Sequence, residues 1–561
     1  MRMQFLLVGL CVLLLVGGCA FAQGPCSSQS SKLACVIPQE YGVNTPAAGQ
    51  PLPETFNFGQ VLYEAPNPSG RNFHFLHYAS EFGTQLGPLT SAIGRQANLL
   101  PLASPSSGVV LSYDESLKTF VVNTGSLGPI LGERGETVGR HKLFIGFSSQ
   151  FFDFDKIDGV SLRHIPAVLT HQGDNRDNSS PGVTNLCSIS SNGSDLSGCA
   201  FVRDAFYSQN SIDLKINQYT GYITFGLSRH VDVSMVIPFE SVRMSLYSQS
   251  TIVLGSDGSF TPVGGTACVG VANCSPDSQI DNQNVTGTNG APYFFHLFKD
   301  CPNTSPAAGA TGLAPQCLNH TFPDPNWTGS GSNSVNSTSG IGDLVTRVKW
   351  NAWSGERLKF ASGLDVRFPT GDALNYLGSG SYGVKPFAVL SYRARVSPHA
   401  MVGYEWNSNS ILSSRIREVP SPAGGAQASI GLLTGQKGYM PSDFVYSAGF
   451  DAWITKWLTG DFDVVGARIL RGGTEAVTSQ PFPAPCSAGC LTEPNPSTVS
   501  SPSLAPNSDA SYSITNASMG VKIRPFPKVS KLVLTANVLV RLDNGGLHSK
   551  PAPLAGIGYT F

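Results

Sequence analysis

The chain has 561 residues, with 36 Lys and Arg against 37 Asp and Glu and a net charge of −1. Charged residues make up only 13% of the chain, about half of the roughly 25% usual in soluble domains. The near-zero net charge excludes the electrostatic footprint of a nucleic-acid-binding protein, so no nucleic acid is expected as a partner. Aromatic residues make up 10% of the chain, which argues against a wholly disordered protein.

Residues 1–22 have the pattern of a secretory signal peptide. A positively charged start is followed by an apolar run at 6–16 and by an Ala-Phe-Ala cleavage motif at 20–22. The alternative is a lipoprotein signal in which Cys19 carries the lipid, but the complete cleavage motif favours ordinary removal of residues 1–22. No later run reaches the roughly 18 apolar residues of a transmembrane helix, so we predict an exported protein that no helix holds in a membrane.

Ten of the 12 cysteines follow the signal and form five local pairs in stretches rich in Gly, Pro, Ser and Asn. Because an exported chain meets an oxidising compartment, these pairs predict disulfide-stapled loops. A metal site is the weaker interpretation, since no His or second Cys pair stands at zinc-finger spacing, and no metal or cofactor is predicted. The predicted pairs are Cys26 with Cys35, Cys187 with Cys199, Cys268 with Cys274, Cys301 with Cys317, and Cys486 with Cys490.

Residues 23–106 are rich in Pro, Ser and Gly and show little periodicity, so we expect a tail or a plug. The part from about 80 to 106 either enters a lumen or remains a periplasmic tail. In residues 107–561, strand-like runs are separated by long polar inserts, one of them about 85 residues long. Such an insert argues against a compact soluble domain, whereas long loops on one side are normal in a membrane barrel.

Apolar and polar residues alternate most clearly in the second half of the chain. At 344–352, 358–368 and 444–454, one set of alternate positions is apolar and the other carries small polar or charged groups. Successive side chains of a strand point to opposite faces, so each of these strands has one apolar face. A soluble sandwich would bury that face, whereas an outer-membrane barrel turns it to lipid. Long strands, tight turns alternating with long loops, and the final strand favour the barrel.

The final strand places Ile557, Tyr559 and Phe561 on one face and ends the chain on an aromatic residue. Such a strand resembles the terminal strand of bacterial outer-membrane barrels, which is their signal to the barrel-assembly machinery. We predict an all-β fold: a transmembrane antiparallel β-barrel of about 12 strands, or up to 14 if 108–113 and 118–123 also contribute. The 12 strands are predicted near 140–157, 210–227, 230–250, 340–353, 356–368, 383–396, 398–412, 443–454, 457–471, 510–524, 530–543 and 552–561.

Several short segments carry a resemblance to a known family. They are Gly-Ile-Gly-Asp at 340–343, Phe-Pro-Thr-Gly-Asp at 368–372, GSGSYGVKPF at 378–387 and Gly-Tyr-Glu-Trp-Asn at 403–407. With the stretches around Pro101 and Glu133, they resemble the outer-membrane transporter family labelled for a MetA pathway of phenol degradation, which is akin to long-chain fatty-acid channels. The resemblance covers most of residues 95–561. It implies a barrel in the bacterial outer membrane that passes small hydrophobic or aromatic compounds.

Charges predicted to face inward are the candidates for lumen-lining and selectivity roles. Both signs occur on neighbouring strands, as with Arg347 and Lys349 near Asp365. They would form either a constriction whose field selects solutes or cross-strand ion pairs that fill a narrow barrel, and the two roles can coexist. The ten candidates are Asp343, Arg347, Lys349, Asp365, Arg367, Glu405, Asp451, Asp461, Asp463 and Arg541.

No catalytic function is predicted, because the sequence has no Gly-x-Ser-x-Gly elbow before a helix and no His-Glu-x-x-His motif. The predicted function is an outer-membrane channel for passive uptake or export of small hydrophobic or aromatic molecules. Its predicted partners are outer-membrane lipid, the barrel-assembly machinery and the hydrophobic solute. The alternative is a surface adhesion or display barrel whose disulfide-stapled loops bind a partner.

Overall fold

Twelve antiparallel strands form a closed barrel in the computed structural model, and the last strand pairs with the first. The structure describes residues 26, 31–41, 62–65, 72–73, 84–104, 111–114, 119–122, 126–170, 205–253, 295–298, 319–322, 335–413, 417–420, 426–429, 432, 435–483, 498–526 and 531–561. Closure leaves no free sheet edge, so every strand of the wall has a partner on both sides. The predicted all-β barrel fold is therefore confirmed.

The barrel strands, β1 to β12, match the 12 predicted segments to within a few residues. They are Leu143–Ile157, Ala205–Gly226, Val231–Val253, Leu344–Ser354, Leu358–Phe368, Gly383–Tyr392, Val396–Asn407, Asp443–Thr455, Leu458–Ile469, Tyr512–Ile523, Leu532–Arg541 and Ala552–Thr560. The short strands Ile165–Thr170, Asn319–Phe322 and Val335–Ile341 extend the wall beside β2 and β3, and Val160–Ser161 and Leu547–Ser549 pair with β1.

Smaller elements lie outside the barrel wall. The hairpin of Leu111–Asp114 and Thr119–Val122 forms a sheet of its own. The possible addition of these two strands to the barrel is therefore wrong, and the barrel has 12 strands in the described parts of the chain. The α-helices are α1, Val36–Glu40, and α2, Leu86–Ala97, and the 3-10 helices are Leu33–Cys35, Ala373–Asn375 and Ile411–Ser413. The other short strands are Leu62–Ala65, Asn72–Phe73, Phe295–Phe298, Asn409–Ser410, Gly438–Tyr439, Arg417–Pro420, Ala426–Ser429, Val477–Pro483 and Thr498–Leu504. Within the described parts of the chain, no helix has the length and apolarity needed to cross a membrane.

The two faces of the wall differ sharply in exposure. Trp350 and Leu364 are 54% and 41% exposed on the outside, whereas the adjacent Lys349 and Asp365 are 1% and 2% exposed on the inside. An apolar outer band on a closed barrel matches the hydrocarbon of a bilayer, and the polar inner face is sheltered from it. The protein is therefore a barrel of the bacterial outer membrane.

The connections at the two ends of the barrel differ in length. At one end, called the lower end, short turns join β4 to β5, β6 to β7 and β8 to β9, the last with only 456 and 457 between the strands. Long connections lie at the opposite, upper end, which by the usual arrangement faces outside the cell.

At the lower end Gly226 lies against the carbonyl of Gly139, where a side chain would have no room. The segment before β1 therefore packs closely on the wall.

Candidate functional site

Two chain segments fill the lumen from opposite ends. Residues 84–104, the upper plug, contain α2 and lie among the long connections. Residues 126–139, the luminal strap, cross the lower half and lead into β1. The candidate functional site consists of these two segments, the charged inner wall and the space between them.

Apolar packing holds the helix of the upper plug. Leu89 and Ile93 are completely buried, and the ring of Tyr376 lies so close to Gly94 that a β-carbon there would be only 2.8 Å from it. The Tyr376 hydroxyl donates to the Thr90 carbonyl at 3.3 Å. Burial of apolar side chains is a non-directional force, so the position of this helix does not depend on any one polar contact.

The ends of the helix are fixed to the surrounding loops. Pro88 is tolerated because it lies in the first turn, where no intrahelical partner is needed for its missing N–H. Near the other end, the Arg95 guanidinium donates to the carbonyls of Leu412 at 3.0 Å and Gly472 at 2.9 Å. The Asn98 side chain then donates to the Gly94 carbonyl at 2.7 Å. The helix is thus tied to two upper connections.

Carboxylates of the wall bind the backbone of the luminal strap. The Ile130 and Gly132 amides donate to Asp461 at 3.1 Å and to Asp463 at 2.7 Å. On the opposite side of the lumen, the Val138 amide donates to Asp232 at 2.9 Å. A strap without regular secondary structure must satisfy its buried amides elsewhere, and here the wall supplies the acceptors.

Cationic and amide side chains of the wall bind the carbonyls of the same strap. Lys522 donates to the carbonyls of Leu127, at 3.4 Å, and Pro129. Lys349 donates to the Arg134 carbonyl at 3.1 Å, and the Asn351 amide donates to the next carbonyl along the strap. The wall therefore recognises both the donors and the acceptors of the strap backbone.

A buried ion network joins the strap to the barrel wall. Arg134 of the strap donates to Asp451 at 2.7 Å, and the Ser126 hydroxyl donates to the same carboxylate. His399 approaches Asp463 at 2.6 Å and Asp451 at 3.6 Å, with its side chain fully buried. Removing one partner of such a network leaves an uncompensated buried charge, which is far more destabilising than losing an exposed ion pair.

Glu133 links the strap to the middle of the wall. Its carboxylate pairs with Arg347 at 2.6 Å and with Lys349 at 2.8 Å. Arg347 also makes a two-pronged contact with Asp365, at 2.7 and 2.8 Å. Ser104 of the upper plug donates its hydroxyl to Glu133 at 2.8 Å. The two internal segments therefore meet at one carboxylate.

A cavity of about 250 Å³ lies between residues 98–104 of the upper plug and the strap. Leu99, Leu100 and Leu102 supply an apolar side, which Val345 and Met401 of the wall extend. The charged side has carboxylates and cations of the wall between β3 and β8 and one carboxylate of the strap. The charged lining residues are Glu133, Glu240, Asp343, Arg347, Asp365, Arg367, Lys385, Glu405 and Asp443.

The structure places all ten predicted lumen residues on the inner face, at three levels. Asp343, Arg347, Asp365, Arg367 and Glu405 line the cavity. Lys349, Asp451, Asp461 and Asp463 contact the strap directly. Arg541 lies at the upper end, where it pairs with Asp543 at 2.8 Å. Their effect on selectivity remains a prediction.

Several residues of the site are not among the sequence candidates. Lys385, His399 and Lys522 occupy alternate positions of strands, so a stricter count of inward positions would find them. Glu133 and Arg134 stand out in the sequence only through a family resemblance. No periodicity marks them as internal, because they belong to an extended segment whose partners are hundreds of residues away.

Of the five predicted disulfides, the structure shows one. Cys26 and Cys35 are bonded, with their α-carbons 5.4 Å apart. The pairs Cys187 with Cys199, Cys268 with Cys274, Cys301 with Cys317 and Cys486 with Cys490 lie outside the described residues, as does the predicted signal peptide at 1–22. These pairings and the signal cleavage remain predictions.

One known family model matches part of the chain. The family model for a MetA pathway of phenol degradation matches residues 271–415, which confirms the family resemblance over that part of the chain. Among curated protein sequences, none matches the chain.

Solved structures similar to this chain include an outer membrane channel from Pseudomonas putida F1, with 9% identity, a TM-score of 0.36, and coverage of 76% of this chain and 97% of that chain. Another is the toluene transporter of Ralstonia pickettii, with 9% identity, a TM-score of 0.25, and coverage of 75% and 90%. A third is a FadL homologue from Pseudomonas aeruginosa, with 9% identity, a TM-score of 0.24, and coverage of 75% and 88%. Because these TM-scores are low, the fold assignment rests on the hydrogen-bonded closure of the barrel.

Proposed function

We propose that the protein is a passive outer-membrane channel for small hydrophobic or aromatic molecules. The observation that carries the proposal is the internal cavity of about 250 Å³, which is apolar on the side of the upper plug. A cavity of roughly 150 Å³ lined by apolar side chains holds a benzene molecule. The lumen therefore has room for a single aromatic ring with a short substituent.

The family match supports this class of solute, because the matched model is labelled for phenol degradation. The channel is proposed to be passive, since the sequence has no nucleotide-binding motif in a suitable context. The concentration gradient of the solute would then set the direction of net transport. Mechanistically, a solute would leave water at one end, rest against the leucines of the upper plug and leave as the strap shifts.

Folding of this channel is proposed to follow the usual outer-membrane route. Export would remove residues 1–22, and the strand ending at Phe561 would engage the barrel-assembly machinery. In the folded protein that strand, β12, lies between β11 and β1 and so closes the barrel. Outer-membrane lipid would surround the apolar band, and the remaining cysteine pairs would staple the upper loops.

Solute uptake by vesicles tests the proposed function. The purified protein is reconstituted into vesicles whose outer leaflet is lipopolysaccharide, and the initial uptake of radiolabelled toluene is compared with that of protein-free vesicles. We expect faster uptake with the protein. Equal rates would contradict a channel and would favour the adhesion alternative, in which the barrel only anchors its loops.

A further inference from the structure

The charged groups around the cavity are almost, but not fully, balanced. Four cations pair with four carboxylates. Arg347 contacts Glu133 at 2.6 Å and Asp365 at 2.7 Å, and the other contacts are Lys349 to Glu133 at 2.8 Å, Lys385 to Asp365 at 3.2 Å and Arg367 to Glu405 at 3.3 Å. The fourth carboxylate, Asp343, lies 4.0 Å from the Arg367 guanidinium. Each of these carboxylates therefore has at least one cation within ion-pair distance.

Two further carboxylates of the same cavity have no cation within ion-pair distance among the described residues. Glu240 on β3 is 5% exposed, and its Oε1 accepts from the Gln218 amide at 3.1 Å. Its Oε2 has no hydrogen-bond partner within the described parts of the chain. Asp443, which opens β8, is 3% exposed, and no ion pair or hydrogen bond to its side chain occurs among the residues that the structure describes.

An unpaired carboxylate in a sheltered site is costly, because it has lost water without gaining a counter-ion. A ligand with a positive charge would remove that cost at the carboxylate that it contacts. The rest of the cavity favours an apolar body, since Leu99, Leu100 and Leu102 form one of its sides. The cavity thus has the two features that recognise an amphiphilic cation, namely carboxylates of the wall without a cation and an adjacent apolar surface on the upper plug.

We propose that the cavity binds a small organic cation, a protonated amine on a single-ring or similarly sized apolar body, with its ammonium group at Glu240 or at Asp443. This inference rests on the proposed channel function and narrows its solute class. The ammonium would donate hydrogen bonds to that carboxylate while the apolar body lies against the leucines of the upper plug. An anion of the same shape would meet those carboxylates unfavourably.

Three probes of matched shape test the inference: 2-phenylethylamine, 2-phenylethanol and phenylacetate. Their binding to the detergent-solubilised full chain at pH 7 is measured by isothermal titration calorimetry. We expect the amine to bind about tenfold or more tightly than the alcohol, because charge-assisted hydrogen bonds are the stronger kind, and the acid to bind most weakly. Equal affinities for amine and alcohol, preference for the acid, or no binding of any probe would overturn the proposal.

Isosteric variants assign the preference to the two carboxylates. In Glu240→Gln or in Asp443→Asn, at whichever carboxylate holds the ammonium, we expect the ratio of amine affinity to alcohol affinity to fall several-fold. Asp509→Asn is the matched control, since it removes an exposed carboxylate outside the barrel wall. An undiminished preference in both cavity variants would contradict the assignment. If a variant fails to fold, the three probes on the wild-type protein still test whether the cavity prefers a cation. Toluene uptake separately tests whether the protein is a channel.

Discussion

The upper plug and the luminal strap close the two halves of the lumen by different physical means. In the upper plug, buried side chains such as Leu89 and Ile93 hold a helix by apolar contact. In the strap, an extended backbone is held by Asp461, Asp463 and Lys522 through hydrogen bonds, with Arg134 in a buried ion pair. The position of the upper plug therefore depends on many apolar contacts, whereas the position of the luminal strap depends on a few polar side chains.

The largest effect should follow from removing the cation of the strap. Arg134→Met removes the guanidinium that donates to Asp451, and breaking a buried ion pair in this way costs about 3–5 kcal/mol. We expect faster hydrogen–deuterium exchange at the Ile130 and Gly132 amides, while α2 stays protected. Arg163→Met is the control, because its pair with Asp213 is half-exposed. Unchanged protection of the strap would show that the ion network does not hold it.

A second variant perturbs the upper plug alone. Leu89→Ala removes a completely buried side chain of α2 and should cost about 2–5 kcal/mol of unfolding free energy. Urea unfolding in detergent micelles measures that loss, and Leu100→Ala, at a half-buried position, is the milder control. Exchange within the strap should not change. Loosening of the strap as well would contradict the claim that the two segments are held by different contacts.

The outer face of the barrel provides the third test. Leu364→Arg, in the middle of β5, should cost about 2–4 kcal/mol if it lies near the bilayer midplane. Val396→Arg, at the start of β7 beside a tight turn, should cost at most about 1 kcal/mol because it lies near the interface. Reversible unfolding into urea in the presence of lipid compares the two. Equal costs at both positions would argue against lipid contact.

A fourth test concerns pH and the loops above the upper plug. Burial raises the pKa of Glu475 from 4.5 to about 8, and neighbouring Asp158 adds to the rise. The folded protein therefore keeps a proton that the unfolded chain releases, and this contribution to stability is lost as the pH rises from about 4.5 to about 8.

Glu475→Gln should flatten that pH dependence and raise the melting temperature at pH 8, where the wild-type carboxyl loses its proton. Melting curves of the two proteins across this pH range provide the check. Parallel curves would mean that Glu475 does not titrate as its burial requires.

The wall is predictable from the sequence because its physical rule is local. A period of two fixes which side chains point outward, so alternation alone assigns Leu364 and Asp365 to opposite faces. Alternation does not fix where a strand ends. The sequence predicts one strand over 383–396, whereas β6 ends at Tyr392 and β7 begins at Val396.

The contacts inside the lumen cannot be predicted from a local sequence pattern. The strap has no repeat of its own, and its Gly132 finds its acceptor 331 positions away, at Asp463. The unpaired state of Glu240 is equally hidden, because it depends on which cations the closed wall brings near. Alternation places a side chain inside the barrel but does not say what it will contact there.

Toluene uptake by Arg134→Met and wild-type protein, reconstituted side by side in lipopolysaccharide-containing vesicles, tests most directly whether the strap controls a path through the lumen. With equal amounts of folded protein, uptake should be faster in the variant, since its strap is held less tightly. An equal or slower rate would contradict a solute path governed by the strap.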